Sequence, residues 1–202
     1  QGDWSSDVCS SDLDNESLAF RGAGASQTTW RAPAGSRCLW ALQTSNKPVS
    51  ISDIRFTDFS MPYNAAAVDL EAIATHTVRR CRFENCAYFA LEMFGGSLVE
   101  DCEFSGTVEG SAVSAAHSLA GDHVFRRCVF RDNIFQNAWF VTAAAMDLYR
   151  ANVRLENCSF RRNNFPVGNG IAIRLVEASL FITNTSFCES STVARAGMRS
   201  SG

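Results

Sequence analysis

Carboxylates are the side chains here whose spacing points to chemistry. Glu71 and Glu92 each stand twelve residues before a phenylalanine of the same local pattern, Phe83 and Phe104. If that pattern is structural, the two carboxylates become neighbours. Crowding them raises the pKa of one or recruits a cation. Asp69 accompanies Glu71 on the same stretch, and Arg174 alternates between Ile173 and Leu175 further along. Paired carboxylates serve acid–base hydrolysis. The plain alternative is that all four are solvated residues on half-exposed strands.

Histidines and cysteines offer less. His76 and His123 both stand seven residues before a phenylalanine of the pattern, Phe83 and Phe130, with His117 in a loop. Two coils separate them, which marks a strand entrance rather than a metal site. Cys81, Cys102, Cys128 and Cys158 recur one per repeat, in a line, whereas zinc needs four ligands converging on a tetrahedron. Cys38 lies outside the repeats and Cys86 in a turn, which is no disulfide framework. Small buried thiols filling a core are the expectation. No metal site, bound cofactor, phosphate loop or nucleophile elbow is read from the chain.

The elements that must position these residues are repeats. Val78-Arg79-Arg80-Cys81-Arg82-Phe83-Glu84-Asn85-Cys86 returns in four strong copies and two weaker ones, whose shared phenylalanines are Phe56, Phe83, Phe104, Phe130, Phe160 and Phe187. Their separations, 27, 21, 26, 30 and 27 residues, have the period of a solenoid. Five residues before the phenylalanine stand Ile51, Val78, Val99, Phe125, Leu155 and Ile182, and two before it Ile54, the four cysteines and Thr185. Cys-x-Phe has the period-2 alternation of a half-buried strand. Polar columns support the stacking: Arg79, Glu100, Arg126 and Glu156 alternate in sign, as do Asp53, Arg80, Asp101 and Arg127. Opposite charges on adjacent strands attract.

Each circuit reads as three short strands and three turns: Leu39 to Leu42, Val49 to Ile51, then Ile54 to Phe56. The order returns as Ala66 to Leu70, Phe89 to Phe94, Ala138 to Met146 and Ile171 to Leu175, each ahead of the next copy. The opening Phe20-Arg21-Gly22-Ala23-Gly24 with Thr28-Thr29, and the Val-x-x-Cys-x-Phe-x-x-Asn coils, resemble the right-handed parallel β-helix of the pectin-lyase-like superfamily over about residues 16–190. The implied fold is an all-β solenoid of about six to seven coils, three strands per coil. The resemblance also implies a polysaccharide groove along the sheet formed by the first strand of each circuit, where Asp69, Glu71, Glu92 and Arg174 fall. A lyase of this kind would use Ca2+ held by clustered carboxylates together with an Arg or Lys base, and a hydrolase a carboxylate pair. The dense catalytic signatures of known enzymes in the superfamily are missing. The expected role is therefore a β-helical module of an extracellular or cell-surface protein, presenting a long face to a glycan or another protein. The alternatives are a fragment of a pectate-lyase-like lyase or glycoside hydrolase, and a leucine-rich-repeat-like binding protein, whose template Val78 to Tyr88 also fits.

The ends differ from the middle. Trp4 to Leu13 resembles a translated sequencing adapter, so residues 1–13 are set aside. Without Asp3, Asp7 and Asp12 the formal charge of −3 becomes zero, which argues against nonspecific nucleic-acid binding. No apolar run is long enough to span a bilayer as a helix, and a monomer is expected. After residue 190 the pattern dissolves, and 191–202 reads as a frayed or truncated end.

Overall fold

A computed structural model describes residues 17–31, 40–42, 47–59, 66–70, 74–108, 110–116, 121–134, 143–164, 172–189 and 194–196. Every regular element among them is a strand, and the strands form three parallel sheets, each seven strands deep. The first sheet stacks Leu18–Arg21, Val49–Ser52, Thr75–Arg79, Gly96–Glu100, His123–Arg126, Asn152–Glu156 and Ser179–Thr183. The second stacks Thr29–Arg31, Arg55–Thr57, Arg82–Glu84, Glu103–Ser105, Val129–Arg131, Ser159–Arg161 and Ser186–Cys188. The third stacks Trp40–Leu42, Ala66–Leu70, Phe89–Phe94, Val113–Ala116, Met146–Tyr149, Ile173–Val176 and Ala194–Ala196. The chain visits the sheets in turn, so each circuit is one coil. The leucine-rich-repeat alternative fails here, because the described residues hold no helix and three sheets rather than one.

Register follows the phenylalanines. Phe56, Phe83, Phe104, Phe130, Phe160 and Phe187 are successive partners in the second sheet. Their ring centroids lie 5.0, 4.9, 4.9, 4.6 and 4.7 Å apart, with planes within 12° of parallel. That separation is close to the spacing of neighbouring strands, about 4.8 Å, so the backbone dictates the ring stack. Trp30 heads the column with its edge on Phe56.

The cysteines form the expected ladder. Cys81, Cys102, Cys128 and Cys158 are buried, free thiols. Each donates to a carbonyl one coil back: Ile51, Val78, Val99 and Phe125 respectively. Burial pushes the Cys86 thiol up to about 12, so it stays protonated at neutral pH. Cys38 lies outside the described residues.

At two of the three corners left-handed residues recur coil after coil, nearly all of them other than glycine, and Arg150 and Glu177 adopt the same conformation at the third. Between the first and second sheets these are Asp53, Arg80, Asp101, Arg127, Asn157 and Asn184, with φ from 47° to 64°. After the second sheet the corner is held by Asp58, Asn85, Gly106, Asp132, Arg162 and Glu189. A left-handed L-residue costs on the order of 1 kcal/mol. Two interactions offset it. The corner N–H continues the ladder between coils, as from Arg80 to the Glu100 carbonyl at 3.0 Å and from Arg127 to Glu156 at 2.9 Å. The side chain then pairs with its counterpart one coil back. Arg80 forks onto Asp53 at 2.7 and 2.8 Å, and Arg127 does the same to Asp101. In the opening coil, a Cβ on Gly22 would collide with the Asp53 carbonyl, so that turn requires glycine.

Two polar columns enter the core. Asn163 Nδ2 donates to the Phe130 carbonyl at 2.9 Å, and Asn133 Nδ2 to Phe104 at 3.1 Å and to Asn163 Oδ1 at 2.8 Å. In the first sheet His76, Ser97 and His123 stand in register, all buried. The Val49 N–H donates to His76 Nδ1 at 3.2 Å, and Ser97 Oγ lies 2.9 Å from His123 Nδ1. The shared offset of the histidines thus marks strand starts, as expected. Burial pushes His123 down to about 4, against a hydrogen bond to the Ala116 backbone that raises it.

Two outcomes follow. Phe104→Ala empties the centre of the ring stack and lowers unfolding free energy by about 3–5 kcal/mol, whereas Phe187→Ala, on the outermost coil, costs less; urea denaturation of the two variants checks the ranking. Below its unfolded pKa of about 6.5, His123 takes a proton in the unfolded chain before it does in the folded one. Stability is therefore full above that pH and falls as pH drops towards 4, by up to about 3 kcal/mol. His123→Val, matching Val153 beside it in the column, should flatten the urea midpoint between pH 7 and pH 4.

Candidate functional site

The third sheet gathers the chemistry. Its strands turn Val68 and Leu70, Leu91 and Met93, Val113 and Ala115, Met146 and Leu148, and Ile173 and Leu175 into the core. By alternation the residue between each pair faces the other way. Those residues are Asp69, Glu92, Ser114, Asp147 and Arg174, and the register makes them one unbroken row. Ala41 and Ala194 occupy the same row at either end.

Three sequence candidates are therefore brought together along one line: Asp69 beside Glu92, and Arg174 three strands further on. Glu71 lies outside the described residues. Glu92 is opposite Asp69, so the twelve-residue count from phenylalanine does not choose its neighbour. Asp69 stands fourteen residues before Phe83, Glu92 twelve before Phe104, Ser114 sixteen before Phe130 and Asp147 thirteen before Phe160. The stretch between the third and first sheets varies in length, and counting across it slips. Ser114 and Asp147 were missed for that reason. Asp147 alone carried a signal, alternating between Met146 and Leu148.

The row is largely buried. Asp69 is 7% exposed and Ser114 9%, and the Asp147 and Arg174 side chains 15% and 23%. Ser114 Oγ donates to Glu92 Oε1 at 3.0 Å, and Arg174 Nη1 to Asp147 Oδ2 at 3.2 Å. Asp147 Oδ1 and Arg174 Nε are buried without a hydrogen-bond partner among the described residues. Burial raises the Asp147 carboxyl to about 6, against the Arg174 charge that lowers it. Beside the row runs Phe94, Ala116, Tyr149 and Val176. Tyr149 is exposed, with the Arg150 guanidinium 5.0 Å from its ring centre. Arg150 is itself held by Glu177 at 2.8 Å.

A concavity lined by Ser26, Arg80, Cys81, Arg82, Asp101 and Arg127 lies over the first corner. Arg80 and Arg127 there are already engaged by Asp53 and Asp101. The third-sheet row is the better candidate. Among the described residues no group of three or more His, Cys, Asp and Glu side chains could hold a metal ion. Carboxylates strung along a row, one per coil, do not converge as calcium requires. No step is therefore derived through that ion. No helix among the described residues is long and apolar enough to cross a membrane.

Three parallel sheets wound from successive coils, with a polar row on one of them, define a parallel β-solenoid. Residues 35–187 match the family described as right handed beta helix region, and the chain belongs to that family. A pectin-lyase-like relationship is consistent with this membership. No curated protein matches the chain, and no solved structure does.

The Asp147 carboxyl should titrate near 6 by side-chain carbon NMR, well above an ordinary aspartate. Arg174→Gln removes the nearby positive charge and should move that titration higher still.

Proposed function

We propose that this chain is a ligand-binding β-helical module of an extracellular or cell-surface protein, and that its ligand is an extended glycan lying along the third sheet. The observation that carries this reading is the row Asp69, Glu92, Ser114, Asp147 and Arg174, flanked by Phe94 and Tyr149. A polysaccharide has flat apolar faces and a periodic fringe of hydroxyls. Aromatic rings meet the first, and a line of carboxylate, hydroxyl and guanidinium groups meets the second. Phe94 and Tyr149 are two strands apart, about 10 Å, a separation comparable with a disaccharide in an extended chain. One polar group per coil, repeated about every 4.8 Å, suits a repeating ligand better than a compact one.

A second reading is hydrolysis, favoured by one observation. Burial keeps Asp147 protonated up to about 6, as a general acid requires. Glu92 stands two strands away on the same row, about 10 Å between α-carbons. Inverting glycosidases hold their carboxyls roughly 6.5–9.5 Å apart to admit a water. A lyase is less well served: Arg174, its candidate base, bonds Asp147 and stands three strands from Glu92.

A polysaccharide array tests both. Binding should fall about tenfold in Tyr149→Ala and in Glu92→Gln, each with an unchanged denaturation midpoint. Release of reducing ends that disappears in Asp147→Asn would select the hydrolase. Binding to no polysaccharide would remove the proposal.

A further inference from the structure

We propose that the corner between the first and second sheets is a modification site, with Asn157 and Asn184 as acceptors of N-linked glycans. The inference rests on the extracellular half of the reading above and not on its glycan-binding half. Both residues open an Asn-x-Ser sequence, Asn157-Cys158-Ser159 and Asn184-Thr185-Ser186, the acceptor motif of secreted chains. So short a motif decides nothing alone, but its placement does. Of the seven described asparagines these two alone carry it. Both are exposed, and both belong to the same column of left-handed corner residues, with φ of 56° and 47°.

The rest of that column shows how these two differ. Arg80 forks onto Asp53, and Arg127 onto Asp101. Asn157 and Asn184 stand in the next two coils, and their side-chain amides form no hydrogen bond among the described residues. The asparagines that the core does use lack the motif. Asn133 and Asn163 donate to the Phe104 and Phe130 carbonyls, and each has a phenylalanine, Phe135 or Phe165, where the hydroxyl would stand. At the corner the backbone is fixed while the amide is left to solvent: the Asn157 N–H donates to the Thr183 carbonyl at 3.0 Å. The motif's hydroxyls stand in register one strand on, with Ser186 Oγ donating to Ser159 Oγ at 3.3 Å. Because this corner joins the first and second sheets, a glycan on it lies across the coil from the third-sheet face and leaves that face open.

Attachment forms a bond from the asparagine Nδ2 to the anomeric carbon of a sugar delivered on a lipid diphosphate. The bond from that carbon to the diphosphate oxygen breaks, the lipid diphosphate leaves, and the amide gives up one proton. The fold loses no side-chain hydrogen bond of Asn157 or Asn184 in the exchange.

Intact mass decides the matter, with the full chain secreted behind an added signal peptide through a eukaryotic pathway. The background is Asn15→Gln, because Asn15-Glu16-Ser17 carries the same motif outside the described residues. The secreted protein should be heavier than its sequence and lose the excess to a glycan-removing amidase, which leaves aspartate at the modified position for peptide mapping. Asn157→Gln should retain a glycan on Asn184, and Asn184→Gln one on Asn157. The double variant should carry none while keeping the same urea midpoint. Secretion without added mass, or a glycan that persists in the double variant, overturns the proposal and leaves the polysaccharide array result untouched. An array without binding, in turn, leaves an attached glycan standing.

Discussion

Register between coils is the constraint from which the rest follows. Parallel strands about 4.8 Å apart place each residue on its counterpart in the next circuit, so a residue type compatible with self-stacking is repeated and an incompatible one is alternated. Phenylalanine stacks on phenylalanine and thiol lies beside thiol. In the column that begins at Arg79 the charges change sign: Arg79 meets Glu100 at 3.1 Å, Glu100 meets Arg126 at 3.3 Å and Arg126 meets Glu156 at 2.8 Å. These exposed or half-exposed pairs add little stability each, roughly 0.2–1 kcal/mol. Their larger effect is to penalise a slip, which would oppose like charges and turn the phenylalanines off their column.

The corners transmit that register round the coil. A two-residue turn on a left-handed residue leaves no slack between the first and second sheets, so a phenylalanine fixes the strand before it as well as its own. Arginine is an unexpected occupant of such a position. It is tolerated at Arg80, Arg127 and Arg162 because the corner N–H finds a carbonyl on the next coil and the guanidinium forks onto Asp53, Asp101 or Asp132 on the previous one. The third sheet is reached across longer connections, and there length varies. The third-sheet row lies over a packed core, while the segments beside it differ in length from coil to coil. Burial in that row raises the Asp147 carboxyl to about 6.

Much of this was legible in the chain. The phenylalanine, cysteine and charge columns announced themselves, because they lie on either side of a turn of constant length and every copy could be laid over the last without gaps. Arg174 was found because it interrupts an apolar alternation, Glu92 because it shares Glu71's distance from the next phenylalanine, and Asp69 because it lies on the same stretch as Glu71. Val113–Ala116 escaped notice because alanine and serine give no contrast between the two faces of a strand. The inward turn of His76 and His123 was equally hidden: a buried imidazole and a solvated one look alike in sequence until its neighbours, here Ser97 and the Val49 amide, are known.

From the amino acids alone came a stacked β-solenoid, its core columns and the sign alternation along its first corner, since each depends on repeats that short-range spacing preserves. Only the tertiary structure decided which polar residues share the third-sheet row, that Glu92 faces Asp69, and that Ser114 and Asp147 join them. The reason is physical: hydrogen bonds between strands set that register, across connections whose changing length erases it from the one-dimensional order.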